Sequence, residues 1–247
     1  MEKYIIEGGR PLNGEVEIQS AKNAVLPLLA AAVLTEQKVV IHKCPRITDV
    51  LNMVQILCEL GFKKRFEGEE LEIDGADAAN HEIPAALAKE MRSSVFMLGS
   101  VIARFGKARI AYPGGCDIGL RPIDLHLSGL RRLGVKISED GGYIDCKCEE
   151  LCGAEIVLDC PSVGATENIM LAAVKAKGRT VIRNAAKEPE IVDLAGFLNR
   201  MGAKVEGAGG AVISVEGVAK LKGVEYTPIS DRIEAGTFLI ASAMCGG

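Results

Sequence analysis

No tract of five or more basic residues occurs anywhere in the chain, and its formal charge is -4 over 247 residues. It therefore presents no positive field for a nucleic-acid backbone, and no nucleic-acid partner is expected. Long hydrophobic runs are missing too. The longest, "AVLPLLAAAVL" at 24–34, has 11 residues, whereas a membrane span needs about 20. The opening "MEKYIIEGGRPLNGEVEI" carries no apolar segment of signal-peptide length. A cytoplasmic location without a membrane partner is expected. Histidine is scarce, and His42, His81 and His126 are too scattered to suggest a Cys/His hydrolase.

Cysteine is not scarce, but its arrangement lacks a framework. The eight residues at 44, 58, 116, 146, 148, 152, 160 and 245 are irregularly spaced, as reduced thiols in a chain too large to need disulfide staples. Cys146, Cys148, Cys152 and Cys160 form no pair of C-x2-C knuckles, so no metal site is expected. What remains, 48% hydrophobic and 25% charged residues, suits a globular protein with one or two cores.

An internal repeat organises this material. The segments "DVLNMVQILCELGF", "PIDLHLSGLRRLGV" and "EIVDLAGFLNRMGA" superpose on Gly61, Gly134 and Gly202, 73 and 68 residues apart. Each has apolar residues at helical spacing, with a glycine where a C-cap belongs. Ahead of each lies a β-rich run, "KVVIH", "ARIAY" or "RTVIR", and before that an Ala/Leu-rich helix, near 24–35, 91–104 and 164–176. Alternating segments "LEIDG", "GYIDCK" and "AVISVEG" follow as strands. Each unit thus reads as helix, strand, helix and strand pair. Three units can bury their helices at a common centre with sheets outside.

One copy departs from the others. From the strand's isoleucine to the next helix's first apolar residue is 9 residues in the first and third units (Ile41 to Val50, Ile182 to Ile191) but 13 in the second (Ile110 to Ile123). The surplus coincides with "PGGC", and an insertion carrying two glycines and the thiol of Cys116 reads as a functional loop. Arg121 precedes Pro122, which favours an extended conformation and an early helical position for the proline. Asp124 in the same turn either complements the helix dipole or accepts hydrogen bonds from a ligand. Lys22 and Asn23 stand ahead of Pro27 in the turn leading into the first helix, Arg92 opens the second unit's helix, and Ser162, Val163 and Gly164 open the third's. Each unit start thus offers an anion something to bind. Glu188 and Glu190 precede a helix as dipole partners or acid/base groups.

Together, "AKNAVLP", "MRSS", "PGGCDIGLRPIDLHLSGLRRLG", "SVGATENIM", "KEPEIVD" and "DRIEAGT" resemble the UDP-N-acetylglucosamine 1-carboxyvinyltransferases, a branch of the enolpyruvyl transferases. The resemblance covers residues 1–247 and implies an inside-out α/β barrel of six units in two domains. It also implies transfer of the enolpyruvyl group of phosphoenolpyruvate to the 3-hydroxyl of UDP-N-acetylglucosamine, opening peptidoglycan synthesis, with no metal or organic cofactor.

By this resemblance Cys116 is the acid that protonates phosphoenolpyruvate, and the target of the epoxide fosfomycin. Lys22, Asn23, Arg92 and Arg121 hold the anions; Arg121, Pro122, Ile123, Asp124 and Leu125 contact the UDP-sugar, the last two near uracil. Ser162, Val163 and Gly164 approach the diphosphate, and Glu188, Glu190, Asp231 and Arg232 line the cleft. "DRIEAGTFLIASAMCGG" starts a fourth unit, so the expectation is a complete first domain at 20–229 with 1–19 and 230–247 as pieces of a second, and an inactive fragment. Two alternatives stay open, a 3-phosphoshikimate 1-carboxyvinyltransferase, against which "PGGCDIG" argues, and a non-catalytic UDP-sugar-binding module.

Overall fold

The computed structural model describes residues 3–5, 7–114 and 122–246. The first unit runs α1 (Lys22–Ala32), β1 (Val39–Ile41), α2 (Thr48–Glu59), β2 (Lys63–Glu67) and β3 (Glu70–Asp74). The second comprises β4 (Glu82–Ile83), α3 (Ala85–Glu90), a 3-10 helix (Arg92–Phe96), α4 (Met97–Phe105), β5 (Lys107–Ala111), α5 (Asp124–Arg132), β6 (Lys136–Asp140) and β7 (Tyr143–Lys147). The third comprises β8 (Glu155–Val157), α6 (Val163–Ala173), β9 (Arg179–Arg183), α7 (Pro189–Arg200), β10 (Lys204–Glu206) and β11 (Val212–Glu216), and is followed by β12 (Val224–Tyr226) and α8 (Arg232–Cys245).

The repeat survives in backbone detail. Gly61, Gly134 and Gly202 all have left-handed φ, at 96°, 97° and 100°. After each, the next residue's amide reaches back across the turn: Phe62 to Leu57, Val135 to Leu130 and Ala203 to Leu198. These are three copies of one Schellman cap, which needs a residue free to take positive φ at that point.

The helices lie at the centre and the sheets outside, as the pattern predicts. Residues 24–32 of α1 and 165–173 of α6 are all buried; α1 is apolar over that stretch, as a fully buried helix must be, whereas α6 also buries the polar Thr166, Glu167 and Asn168. Each sheet has four strands, in the orders β12-β1-β3-β2, β4-β5-β7-β6 and β8-β9-β11-β10. The fourth strand is absent from the sequence reading. It is β4, β8 or β12, each parallel to its neighbour, with Ile83 opposite Ile110, Ile156 opposite Ile182 and Tyr226 opposite Ile41. Because β12 comes from beyond the third unit and joins the first unit's sheet, it closes the three units into a ring. Tyr226 ties that strand to α7 by donating to Asp193 Oδ1 at 2.8 Å.

Three helix starts differ from expectation. The second unit's helix is broken into the 3-10 segment and α4, with the Ser94 hydroxyl donating to the carbonyls of Ala88 and Met91, a competition with regular helix typical of serine. Helix α1 begins at Lys22, so Pro27 lies inside it. Lacking an N–H, Pro27 cannot bond the Asn23 carbonyl one turn back. Pro122 likewise sits two residues ahead of α5, whose N-cap is Ile123.

The central helices touch most closely at Gly99 of α4, where an added Cβ would lie 2.2 Å from the Asn168 carbonyl of α6. Gly99→Ala is expected to cost about 1–3 kcal/mol through overpacking against a backbone that cannot yield. Gly129→Ala, which meets the flexible end of Ile169, should cost less; chemical denaturation of both variants checks the order.

Segments 19–21 and 229–231 run side by side. Ser20 bridges Ser230 in antiparallel fashion, Ala21 N–H donates to Ile229 O and Asp231 N–H to Gln19 O, each at 2.8 Å. Beyond them α8 has no buried residue, and Phe238, Leu239, Ile240 and Met244 are exposed. The described residues before 20 form no strand.

Candidate functional site

The starts of the three units come together at one end of the ring. A cleft of about 460 Å³ is lined by Lys22 and Asn23 from α1, Arg92 and Ser93 from the 3-10 helix, and Ser162, Val163 and Gly164 from α6, with Pro122 and Asp49 at its side. Helix N-termini converge there by the symmetry of the repeat, so their first amides and two cations face the same space. Ser162 caps α6, its Oγ accepting from Ala165 N–H at 3.3 Å. Lys22, Asn23, Arg92, Ser162, Val163 and Gly164, placed on different units by sequence, are therefore neighbours in space.

Sequence reasoning missed six lining residues, Met91, Ser93 and Val95 beside Arg92, and Asp49, Phe96 and His126. Asp49, in the first turn of α2, pairs with Lys22 Nζ at 2.8 Å. It stands 12 residues ahead of its capping glycine, as Glu190 does, with Asp124 two residues further along the corresponding first turn, a signal that the repeat carried. Phe96 and His126 stack with ring centroids 6.5 Å apart and wall the cleft beside Gly164, where a Cβ would come within 2.9 Å of Phe96 and 3.0 Å of His126.

His126 is held by a buried amide. Asn168 Oδ1 accepts from Gly99 N–H at 2.7 Å, which orients the amide so that its nitrogen reaches Val95 O at 3.0 Å and His126 Nδ1 at 3.1 Å. The ring's Nδ1 thus accepts, leaving the proton on Nε2. Burial, then the Arg92 charge, push the pKa of His126 from 6.5 down to about 4. A lowered value means that the unfolded chain takes up this proton first as pH falls. The stability is full above pH 6.5 and declines through the window to about 4, by about 3 kcal/mol. Denaturation curves across that window, with imidazole NMR still showing neutral His126 at pH 5.5, are the expected result.

The remaining predicted residues surround the cleft. Asp124 and Leu125 line a separate depression of about 400 Å³ together with Arg132 and Asp159, while Ile123 is buried in the core. A smaller chamber of about 220 Å³ adjoins the cleft, sharing Asn23, Ser93, Phe96, Val163 and Gly164 and adding Glu167, Glu190 and Arg232. Arg232 Nε donates to Glu190 Oε1 at 3.0 Å. Glu188 precedes α7, and Asp231 caps α8 by accepting from Ile233 and Glu234 N–H. Cys116 and Arg121 lie outside the described residues. No group of side chains suited to a metal ion occurs among the described residues, and no described helix is long and apolar enough to cross a membrane.

The profile of the EPSP synthase family (3-phosphoshikimate 1-carboxyvinyltransferase) matches residues 6–247. The chain belongs to this family of enolpyruvyl transferases. Within it, the chain is 58% identical over its whole length to UDP-N-acetylglucosamine 1-carboxyvinyltransferase 2 of Caldanaerobacter subterraneus, covering 59% of that protein. It is 55% identical to UDP-N-acetylglucosamine 1-carboxyvinyltransferase 1 of Symbiobacterium thermophilum, covering 57%. The chain spans under three-fifths of these relatives. Among solved enolpyruvyl transferases, NikO from Streptomyces tendae superposes with a TM-score of 0.83 at 25% identity, over 95% of this chain and 56% of that one. An EPSP synthase from Acinetobacter baumannii, at 19% identity and TM-score 0.74, covering 96% and 54%, shares the fold. The architecture is the inside-out α/β barrel of the enolpyruvyl transferases.

Proposed function

We propose that the protein, at the length of its relatives, transfers the enolpyruvyl group of phosphoenolpyruvate to the 3-hydroxyl of UDP-N-acetylglucosamine and releases phosphate, the first committed step of peptidoglycan synthesis in the cytoplasm. The observation that carries this reading is the convergence of Lys22, Arg92 and the α6 N-terminus on one cleft, in a chain whose relatives bear that activity in their names.

The chemistry asks for what such a cleft supplies. The C2 carbon of phosphoenolpyruvate becomes electrophilic when C3 is protonated, and the sugar hydroxyl then adds to C2. As the C2–O bond forms, the hydroxyl gives up its proton; elimination then takes a proton back from C3, breaks the C2–O bond to phosphate and leaves an enol ether, and the hydroxyl proton departs with the phosphate. Lys22 and Arg92 hold the phosphate and carboxylate against this charge development, and Cys116 is the acid. The amides of Val163 and Gly164 take the diphosphate. The depression holding Asp124 and Leu125 takes the uridine, with Arg121, Pro122 and Ile123 assigned to the UDP-sugar by sequence. Glu188, Glu190, Asp231 and Arg232 stand where the second domain meets the first.

The domain boundary at 20–229 is part of this proposal. It is supported by the pairing of segments 19–21 and 229–231 and by α8, whose apolar residues find no partner within the ring and need one to hold a helix. The preference for UDP-N-acetylglucosamine over shikimate 3-phosphate rests on the relatives and on the "PGGCDIG" loop. Calorimetry on the full-length protein tests it. Saturable binding of UDP-N-acetylglucosamine with no heat from shikimate 3-phosphate is expected, and the reverse pattern would favour the shikimate reading.

A further inference from the structure

Glu167, on α6, is 1% exposed, and neither of its carboxyl oxygens has a hydrogen-bond partner. Both facts hold although it lines the 220 Å³ chamber beside the cleft together with Asn23, Ser93, Glu190 and Arg232. An ionised carboxylate left without donors in such a place is untenable, because burial of an unpaired charge costs far more than burial of the acid. The cation that lines the chamber, Arg232, is engaged by Glu190, and Glu190 is itself almost fully buried.

The other faces bring no compensation. The charges acting on Glu167 are Glu190 and Glu188 at the start of α7, and both oppose its ionisation, after burial itself, so that its pKa stands well above the usual 4.5. Around it α1 presents Asn23 and Leu26, and the 3-10 helix Ser93 and Phe96, all of them uncharged. The chamber is polar and has room for water, which needs about 30 Å³ per molecule and two or more polar partners.

We propose that Glu167 is a positioning residue: a neutral carboxylic acid whose donor, passed through water in this chamber, fixes the Glu190–Arg232 pair against the cleft. The acid has the one proton that the chamber's carboxylate lacks, and α6 and α7 are thereby joined by a donor-acceptor chain ending on α8. Arg232 is then held at the edge of the cleft in one orientation. This assignment touches the proposed transfer reaction through the position of Arg232, yet its tests require no turnover, so failure of either reading leaves the other standing.

The sign of the pH effect is fixed by the state of the acid. The native protein keeps a proton that the unfolded chain gives up above pH 4.5, so the stability due to Glu167 is full below that pH and is lost as pH rises toward the native value. Glu167→Gln, which keeps the shape and a donor but cannot ionise, removes this dependence. In the full-length protein we expect the Tm of Glu167→Gln to gain on wild type between pH 5 and 9 by at least about 2–4 °C. We also expect the Arg232 Nε–H resonance, protected in wild type and in Glu167→Gln, to lose protection in Glu167→Leu. A Tm difference that is flat or moves the other way would overturn the assignment, and so would an Arg232 resonance unchanged in Glu167→Leu. If the leucine variant fails to fold, the glutamine comparison alone decides.

Discussion

At the length of its relatives the protein is expected to lose about 100- to 10,000-fold in turnover on Cys116→Ala, the range for losing a positioned general acid, whereas Cys116→Asp is expected to keep turnover and abolish labelling by fosfomycin. The contrast follows from the role proposed for the thiol. Aspartate replaces an acid with an acid but offers no sulfur nucleophile to an epoxide, whereas alanine offers neither. Labelling should select Cys116 over the other seven cysteines, because thiolate character and access decide the rate. Cys44 and Cys146 are buried, and burial pushes both thiols up to about 12. Burial also raises Cys58 and Cys148. The competitors are the exposed Cys152, Cys160 and Cys245. Peptide mapping that finds one of these labelled before Cys116 would contradict the assignment of the loop.

Lys22→Ala is expected to weaken phosphoenolpyruvate binding by about one to two decades, the worth of a charged hydrogen bond or slightly more. The variant loses a cation and also leaves Asp49, its partner at 2.8 Å, facing the anion alone. The two parts are separable. Lys22→Ala with Asp49→Asn should recover some of the affinity, since the repulsion is removed while the missing contact is not. Both side chains are about one-third or more exposed, so solvent screening makes the recovered part the smaller one. Titration of the single and double variants with phosphoenolpyruvate checks the order. Equal affinities for Lys22→Ala and the double variant would show that Asp49 exerts no influence on the ligand.

The layers of this fold were legible in the sequence because each unit ends its second helix with the same cap. Gly61, Gly134 and Gly202 must all adopt positive φ, and that shared demand exposed the period. The strands that complete the sheets were not legible. At two or three residues, β4, β8 and β12 are too short to show an alternation. Their buried members, Ile83, Ile156 and Tyr226, nevertheless recur at 73 and 70 residues, close to the unit period.

The candidate site was legible as residue types at unit starts, but its assembly was not. Lys22, Arg92 and Ser162 are each some 70 residues apart, and only the packing of α1, α4 and α6 about a common axis brings them to one cleft. Asp49 was not singled out and His126 read as one of three scattered histidines, since nothing local distinguishes a first-turn carboxylate that reaches a lysine 27 residues away. Glu167 lies within "SVGATENIM", among buried neighbours, and its missing partners are visible only in three dimensions.

The most direct measurement is phosphate release from phosphoenolpyruvate by the protein at the full length of its relatives, with and without UDP-N-acetylglucosamine. Release that requires the nucleotide sugar, falls with Lys22→Ala and Arg92→Ala, and leaves an enolpyruvyl ether on the 3-hydroxyl is the predicted result. Release unaffected by UDP-N-acetylglucosamine but driven by shikimate 3-phosphate, or no release with either acceptor, would contradict it.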